Sequence, residues 1–361
     1  MLLPVIGAIL SAGCFPPGLP TPPFTAVSQS VSLFGSADGA ALYRHEQFAE
    51  CHQVLSFLGP YPEPAECASL MGGQDVRTLR RLDTETLTRI DLTADASIYD
   101  QPVSDGVRLA DYGLVADAFF IFNAETSAEA MIPVGADAEP LFLVKVSDSF
   151  LVYDAVDNPD AGLVVRSLDT GAIVRTIPWQ LSRVGLDGGL IALFAPAGDG
   201  RVDVIAIDLE TDVQRTLAAG VPDAETAMAA VVRGRQVIWS QYEAGDTHLR
   251  VFAHDFDANS TQQVFERSDG GSRFVSQLRD ADGTRLLIAR FDTGRTRFEI
   301  VPFGGSAQTL FDTASHSGDR FYNGDILRFA GQRVLYGDPF TGEWVLVDPS
   351  GAEVGRFNPY D

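Results

Sequence analysis

Lysine is almost absent from this sequence. Lys145 is the only one among 361 residues, so 25 of the 26 basic side chains are arginine, and 49 acidic residues give a formal net charge of −23. A chain of this charge repels nucleic acid and anionic lipid headgroups, which disfavours both as partners, and we predict no nucleic acid partner. The acidic residues are spread along the chain, as on a solvated surface. Our interpretation of the missing lysine is genomic base composition.

Signatures of catalysis are also scarce. The sequence has no Gly-x-Ser-x-Gly motif and no phosphate-binding glycine loop. No serine has the surroundings of a Ser-His-Asp hydrolase, and among His248, His254 and His316 the last is the least implausible partner. A glycosidase pair among the carboxylates stays open, because spatial separation defines such a pair. We predict no catalytic residue and no cofactor.

Two groups of residues invite a metal interpretation, and neither fits it well. The first is a set of two histidines and two cysteines, namely His45, Cys51, His52 and Cys67. Zinc ligands usually come in pairs two to five residues apart, which this set lacks. The second runs from Asp255 to Glu266 with the oxygen spacing of a calcium loop, but Ser260 replaces the glycine of its sharp turn. We predict a hairpin there and no metal site.

The amino-terminal segment has the features of an export signal. Residues 2–10 form an apolar run, far shorter than the about 20 residues that span a bilayer but of the size of a signal-peptide core. Residues 15–24 include five prolines, which predicts an extended tether. Between them, Leu10-Ser11-Ala12-Gly13-Cys14 resembles the lipobox of bacterial lipoproteins. The resemblance implies cleavage before Cys14 and a diacylglycerol on its thiol, with an ordinary cleaved signal as the alternative.

The predicted export gives the other cysteines a role. With Cys14 lipidated, Cys51 and Cys67 remain, and a bond between them would close a short loop worth about 3 kcal/mol. We predict this disulfide. Phe15 follows Cys14, and the sorting rule that Gram-negative lipoproteins obey implies outer-membrane location for such a residue. The expected organisation is a signal over 1–13, a tether over 14–26 and one domain over 27–361.

An internal repeat dominates the rest of the chain. Apolar runs end in turns rich in Asp, Asn, Thr, Ser and Gly, which recur on average about every 44 residues between Asp83 and Asp348. This period predicts an all-β propeller of four-stranded blades, seven of about 48 residues or eight of about 42, with seven preferred. Helical periodicity is nearly absent, with 42–57 and 223–231 the best candidates. We expect a strand over Val27–Phe34 to close the ring by pairing with the blade that ends at Phe357.

Two segments carry a resemblance to known propellers. Ser167–Val174 resembles the strand-turn-strand signature of quinoprotein-like blades, within the wider WD40-like group. Asp280–Ala289 is similar to a second-strand entry in periplasmic translocation-associated propellers. These resemblances imply fold and not activity. Trp179, Trp239 and Trp344 recur in different blades, and core packing is a better interpretation of them than an exposed binding platform.

The expected function follows from export and fold together. We expect a non-enzymatic binding or scaffold protein of the bacterial cell envelope, held at the outer membrane by its lipid alone and facing the periplasm or the exterior. Its partner would be a protein or a glycan, bound by the loops of one face or by the central channel. A scaffold in outer-membrane assembly is one version of this expectation. The alternative is an envelope hydrolase or lyase with its active site in the channel.

Overall fold

In the residues that it describes, the computed structural model has 28 strands in seven antiparallel sheets of four strands each. It describes residues 24–37, 40–52, 76–92, 102–113, 116–134, 140–155, 162–178, 183–223, 228–242, 248–269, 276–292, 295–312, 326–338 and 341–359. Each sheet consists of four strands that are consecutive in the chain, so each is one blade. The prediction of seven four-stranded blades is confirmed, and the eight-blade alternative is wrong.

The strand bounds follow the chain blade by blade. The first four blades are β1 Phe24–Ala37, β2 Ala40–His52, β3 Val76–Asp83 and β4 Arg89–Asp91; β5 Val103–Ser104, β6 Arg108–Gly113, β7 Ala118–Asn123 and β8 Ala128–Pro133; β9 Pro140–Val146, β10 Phe150–Ala155, β11 Leu163–Ser167 and β12 Ile173–Ile177; and β13 Val184–Asp187, β14 Leu190–Gly198, β15 Arg201–Asp208 and β16 Val213–Pro222. The last three are β17 Ala230–Arg233, β18 Gln236–Tyr242, β19 His248–Asp255 and β20 Ser260–Ser268; β21 Ser276–Ala281, β22 Arg285–Asp292, β23 Arg295–Pro302 and β24 Gln308–Asp312; and β25 Leu327–Ala330, β26 Arg333–Gly337, β27 Trp344–Val347 and β28 Glu353–Phe357.

The repeated turns of the sequence are the hairpins between the third and fourth strands. Asp83, Asn123 and Asp208 end their third strands, and each Oδ1 accepts the backbone N–H groups two and three residues further on. Four residues after each, Leu87, Ser127 and Asp212 take positive φ angles of 60°, 56° and 57°. A short polar side chain that caps its own turn explains why Asx residues recur at this position.

Each pair of neighbouring blades shares one apolar cluster. The middle strands are buried along most of their length, as Leu190–Ala195 shows, whereas the fourth strands are mostly exposed. A four-stranded sheet with two apolar faces must bury both against its neighbours, and a closed ring does this for every blade. Trp239 and Trp344 are 1% exposed in two of these clusters, which confirms core packing for them. Trp179 lies outside the described residues.

The ring closes in a different way from the predicted one. β1 is a strand, as expected, but it pairs with β2 in the first blade, and β28 pairs with β27 in the last. The expected pairing of Val27–Phe34 with the last blade is therefore wrong. The alternation of polar and apolar residues in β1 is compatible with pairing in the first blade and with pairing in the last blade. The sequence therefore does not distinguish these two ways of closing the ring.

Side chains join the first blade to the last. Tyr43 and Trp344 meet edge to face with ring centroids 5.0 Å apart, and Phe357 packs against Trp344 at 5.5 Å. Ser36 Oγ donates a hydrogen bond of 2.6 Å to the carbonyl of Phe329. None of the described strands is shared between the two blades, so this seam depends on packing and on such cross-blade bonds.

The two helical candidates are also wrong where the structure describes them. Strand β2 covers 42–52, and β17 begins at Ala230, inside the second segment. Polar and apolar residues alternate weakly in 42–52, and pairing with β1 and β3 decides its conformation. The described ranges contain strands, turns and bends, and none of their segments is a helix long and apolar enough to cross a membrane.

Candidate functional site

The first strand of every blade lies innermost, and together the seven strands line a central channel. A cavity of about 440 Å³ opens where these strands end, and all seven blades contribute residues to its wall. Its lining includes Ser36, Ser104, Lys145, Asp187 and Arg328, each at or near the carboxyl end of an innermost strand or in the turn that follows it. The turns to the second strands are short, so the wall has little freedom to move. We call this cavity the channel mouth.

The channel mouth concentrates charge of both signs. Its positive side chains are Arg108, Lys145, Arg233, Arg279 and Arg328. Its carboxylates are Asp105, Asp148, Asp187 and Asp280. In a chain with nearly two acidic residues for each basic one, this small excess of cations stands out against the surrounding surface. The balance between the charges depends on which carboxylates already have partners.

Asp280 is a buried carboxylate that ties three blades together. Its side chain accepts hydrogen bonds from Arg233 Nη2 at 2.8 Å, from its neighbour's backbone N–H at 2.8 Å and from the Phe329 N–H at 2.9 Å. Arg233 also donates through Nε to the carbonyl of Ala281 at 2.9 Å. These bonds link β17, β21 and β25 and fix the Arg233 guanidinium at the wall.

Most other charges at the mouth also have protein partners. Arg108 pairs with Asp105 at 3.0 Å, and Asp187 accepts the N–H of Gly234 at 2.7 Å. Arg328 donates through Nη1 to the carbonyls of Arg279 and Leu327, both at 3.1 Å. Carbonyl oxygens hold this guanidinium in place without neutralising its charge.

Lys145 differs from its neighbours. Its side chain reaches the channel solvent, yet protein surrounds the ammonium. Burial lowers the pKa of Lys145 from its ordinary 10.5, the charges of Arg328 and Arg233 lower it further, and Asp280 opposes them. Among the described residues, none forms an ion pair or a hydrogen bond with this ammonium. The arrangement places the Lys145 amine beside two arginines and one carboxylate, which is a site suited to an anion.

The residues that the sequence singled out lie elsewhere. Cys14, Cys67 and His316 are outside the described residues, as are the side chains of His45, Cys51 and His52 on β2, so the lipid, the disulfide and the zinc alternative stay predictions. In the ranges that the structure does describe, no three ligands converge as a metal site would require.

Two described histidines have structural partners. His248 Nε2 lies 2.6 Å from Glu266 Oε1, and His254 Nδ1 lies 2.8 Å from the Thr261 hydroxyl. Burial, and then the charge of Arg215, lower the pKa of His254. Neither partner is a serine, so these histidines do not form a Ser-His-Asp triad.

The calcium-like spacing belongs to a hairpin, as predicted. Asp255 Oδ1 accepts the N–H of Ala258 at 2.8 Å, and Asn259 takes a φ of 50° in the turn. Glu266 lies along β20 opposite Arg250, away from that turn, so it does not join the aspartates.

Sequence reasoning missed Lys145. Its rarity was visible, but base composition explained it equally well, and nothing in the local run Leu143–Val146 separates a channel lysine from a surface one. Asp280 was noted only as part of a blade signature. Both become site residues because strands about 45 residues apart in the chain end at one channel, which requires the closed ring.

Comparisons with known proteins support the fold alone. No family model matches the chain, and no curated protein matches it. The chain is similar to the β-propeller domain of the Trilobed protease from Pyrococcus furiosus, described as having an open velcro topology, with a TM-score of 0.53, 9% identity and coverage of 94% of this chain and 96% of that one.

Two enzymes also share the architecture. An oligogalacturonate lyase crystallised with manganese has a TM-score of 0.52 at 13% identity and covers 89% of both chains. An acylaminoacyl peptidase from Pyrococcus horikoshii has a TM-score of 0.53 at 12% identity, and the match spans 94% of this chain but 52% of that enzyme. The seven four-stranded sheets define the protein as a seven-bladed β-propeller. Identities this low support the fold and transfer no activity to this chain.

Proposed function

We propose that the protein is a non-enzymatic binding or scaffold protein of the bacterial cell envelope that holds its partner at the channel mouth. The observation that carries this proposal is the convergence of seven innermost strands on one cavity whose wall presents Lys145, an amine with no ion-pair partner among the described residues. Concave sites with a few fixed polar groups are the usual binding sites of proteins. A protein or a glycan with an exposed anionic group fits this wall.

Rigidity favours binding at this end of the channel. Asp280 fixes Arg233, and backbone carbonyls fix Arg328, so both guanidinium groups are in place before a ligand arrives. A preorganised site loses less conformational entropy on binding than a flexible one. The turns that follow the innermost strands are short, which leaves the mouth open to a partner from the outside.

The envelope location rests on the lipobox-like sequence ending at Cys14. A diacylglycerol together with a further acyl chain anchors a protein stably, because each buried methylene contributes about 0.8 kcal/mol. Mass spectrometry of the mature full-length protein, expressed in a Gram-negative host, tests the anchor. We expect cleavage before Cys14 and the mass of a lipid on its thiol, both lost in Cys14→Ser. Recovery of an unmodified Cys14 from the membrane fraction would contradict the anchor.

Photo-crosslinking in cells tests the binding site. A photoreactive residue at Asp148, which is exposed at the channel mouth, should yield one defined adduct. The control position is Met131, which is 60% exposed on the outermost strand β8. We expect the same partner, identified by mass spectrometry, from position 148 and not from position 131. Equal yields at both positions, or no adduct at 148, would refute binding at the mouth.

The second candidate is a hydrolase or lyase with its active site in the channel, and Lys145 favours it. An amine whose pKa is lowered by burial and by neighbouring cations is a better proton acceptor near neutral pH than an ordinary lysine. Turnover of envelope glycans, esters or peptides by the purified full chain, abolished in Lys145→Gln, would replace the binding proposal with this one. Turnover at the background rate in both forms supports the binding proposal.

A further inference from the structure

We propose that Lys145, Arg233 and Arg328 form a subsite for a doubly charged anionic group, either a phosphoryl group or a pair of carboxylates. This inference rests on the proposed function, because it names the chemistry of the ligand that the channel mouth binds. The three side chains come from β9, β17 and β25 and line the same cavity. They are distant in sequence, so the ring alone brings them together.

The subsite has more positive charges than negative ones. Three positive side chains face one carboxylate, Asp280, and three hydrogen-bond donors of the protein already occupy that carboxylate. Of the other carboxylates at the mouth, Asp105 pairs with Arg108 and Asp187 accepts the Gly234 N–H, while Asp148 is exposed to solvent. Asp187 and Asp148 keep their charges, but the charged groups that act on Lys145 are Arg328, Arg233 and Asp280, so about two positive charges remain uncompensated beside the protonated ammonium. A ligand group with two negative charges restores neutrality.

The N–H donors of Lys145 and Arg328 suit a phosphate or carboxylate group. An ammonium offers three N–H donors, and a guanidinium offers five in a planar fork. The bonds of Arg328 to the Arg279 and Leu327 carbonyls use Nη1 and orient the rest of the fork. Lys145 supplies a point charge and Arg328 a fork, the combination that phosphate and carboxylate groups accept well.

The net charge of the whole chain limits which anionic ligands can reach the subsite. A net charge of −23 repels a long polyanion from the surface. A cavity of about 440 Å³ has room for a head group or the end of a chain, and its cations are confined to the wall. The favoured ligand therefore carries its negative charge locally, on a part that enters the channel mouth, and is neutral or weakly charged elsewhere.

The lone lysine makes a direct test possible. Reductive methylation with ¹³C-formaldehyde labels Lys145 and the α-amino group if that is free, so the lysine gives one methyl resonance of its own. The probes are inorganic phosphate and malonate at constant ionic strength, with acetate as a singly charged control. We expect phosphate or malonate to move this resonance saturably and to raise the pKa of the labelled amine, with acetate at least about tenfold weaker.

Variants separate the subsite from general electrostatics. Arg328→Gln should weaken the favoured dianion at least about tenfold, since hydrogen bonds between charged groups are the strong ones. Arg328→Met gives a second variant if the first folds poorly. The matched control is Arg175→Gln, which removes the same charge from β12, the outermost strand of the blade that carries Lys145. Arg175 binds Asp212 and Gln214 there, so its loss should leave the titration unchanged.

The outcomes are distinct. Binding of phosphate alone identifies a phosphoryl subsite, and binding of malonate alone identifies paired carboxylates; either supports the proposal. No saturable shift with any anion, or equal weakening in Arg328→Gln and Arg175→Gln, would overturn it. Failure here leaves the crosslinking result at position 148 intact, because that experiment does not depend on the charge of the ligand.

Discussion

Replacing Trp344 by alanine should open the ring at one place. Trp344 is 1% exposed and contacts Tyr43 of the first blade and Phe357 of its own blade, with centroids 5.0 and 5.5 Å away. Removing a buried tryptophan costs about 3–5 kcal/mol, with each aromatic pair contributing about 0.5–1.5 kcal/mol beyond the buried area. For a propeller of this length, such a loss lowers the melting temperature by about 4–7 °C.

Trp239→Ala is the matched control. Trp239 is equally buried, but it stacks on Phe252 within the fifth blade, at 5.4 Å and 19°, in a cluster shared by blades four to six. We expect a similar thermal penalty in both variants and a different pattern of hydrogen exchange. Because none of the strands that the structure describes crosses the seam, Trp344→Ala should speed exchange in β2, β26 and β27, and Trp239→Ala in β18 and β19.

Hydrogen exchange with mass spectrometry reads this difference directly. Selective loss of protection on both sides of the seam in Trp344→Ala is the expected result. If both variants loosened all seven blades alike, the ring would unfold as one unit. The conclusion that side-chain contacts, and no shared strand among the described ones, close the ring would then be refuted.

Three further changes test other parts of the structure. Burial raises the pKa of Asp208, but the Arg235 guanidinium and backbone N–H groups outweigh burial and hold this pKa below its ordinary 3.8. The ionised carboxylate therefore stabilises the fold fully above that value, and this stabilisation is lost as pH falls. Asp208→Asn should flatten the decline of melting temperature between about pH 5 and pH 3. Gly185→Ala would place a Cβ 2.9 Å from the carbonyl of Ala230 on the next innermost strand and should cost about 1–3 kcal/mol in urea unfolding; an unchanged midpoint would contradict this close approach. Because folding lowers the pKa of Lys145, the charged form of this amine opposes folding below pH 10.5. Lys145→Met should therefore raise the melting temperature at pH 7, and this gain should disappear towards pH 10.5. No gain at pH 7 would show that the charge of the ammonium is already compensated.

The fold could be predicted from the sequence because the blades repeat one local structure, a turn between the third and fourth strands that an Asp or Asn side chain caps. Asp83, Asn123 and Asp208 cap their own turns with side-chain oxygens, a short-range interaction that leaves a periodic trace in the sequence. Ring closure leaves no such trace, since β1 carries the same strand pattern whether it pairs in the first blade or the last. The helical candidates failed for a related reason, because pairing between strands outweighed weak local preference in β2.

The candidate site could not be predicted because its residues have no sequence relationship to one another. Lys145, Arg233, Asp280 and Arg328 each lie at or near the end of a different innermost strand, and the closed ring is what makes them neighbours. The acidic turns that first looked like metal sites are local hairpins, whereas the charges at the channel mouth stand next to ordinary strand residues. The rarity of lysine was the one feature of the sequence that pointed to Lys145. Its significance for the site depends on where the fold places this residue.

The reactivity of Lys145 in the native envelope tests most directly whether a partner occupies the channel mouth. An amine-acylating reagent is applied in excess to the purified full chain and to envelopes that contain it, and modification of Lys145 is quantified by mass spectrometry. Envelopes denatured before labelling give the unprotected reference. A bound partner predicts modification several-fold slower in intact envelopes than in the purified protein, whose Lys145 faces the channel solvent. Equal rates in the two would contradict occupancy of the channel mouth.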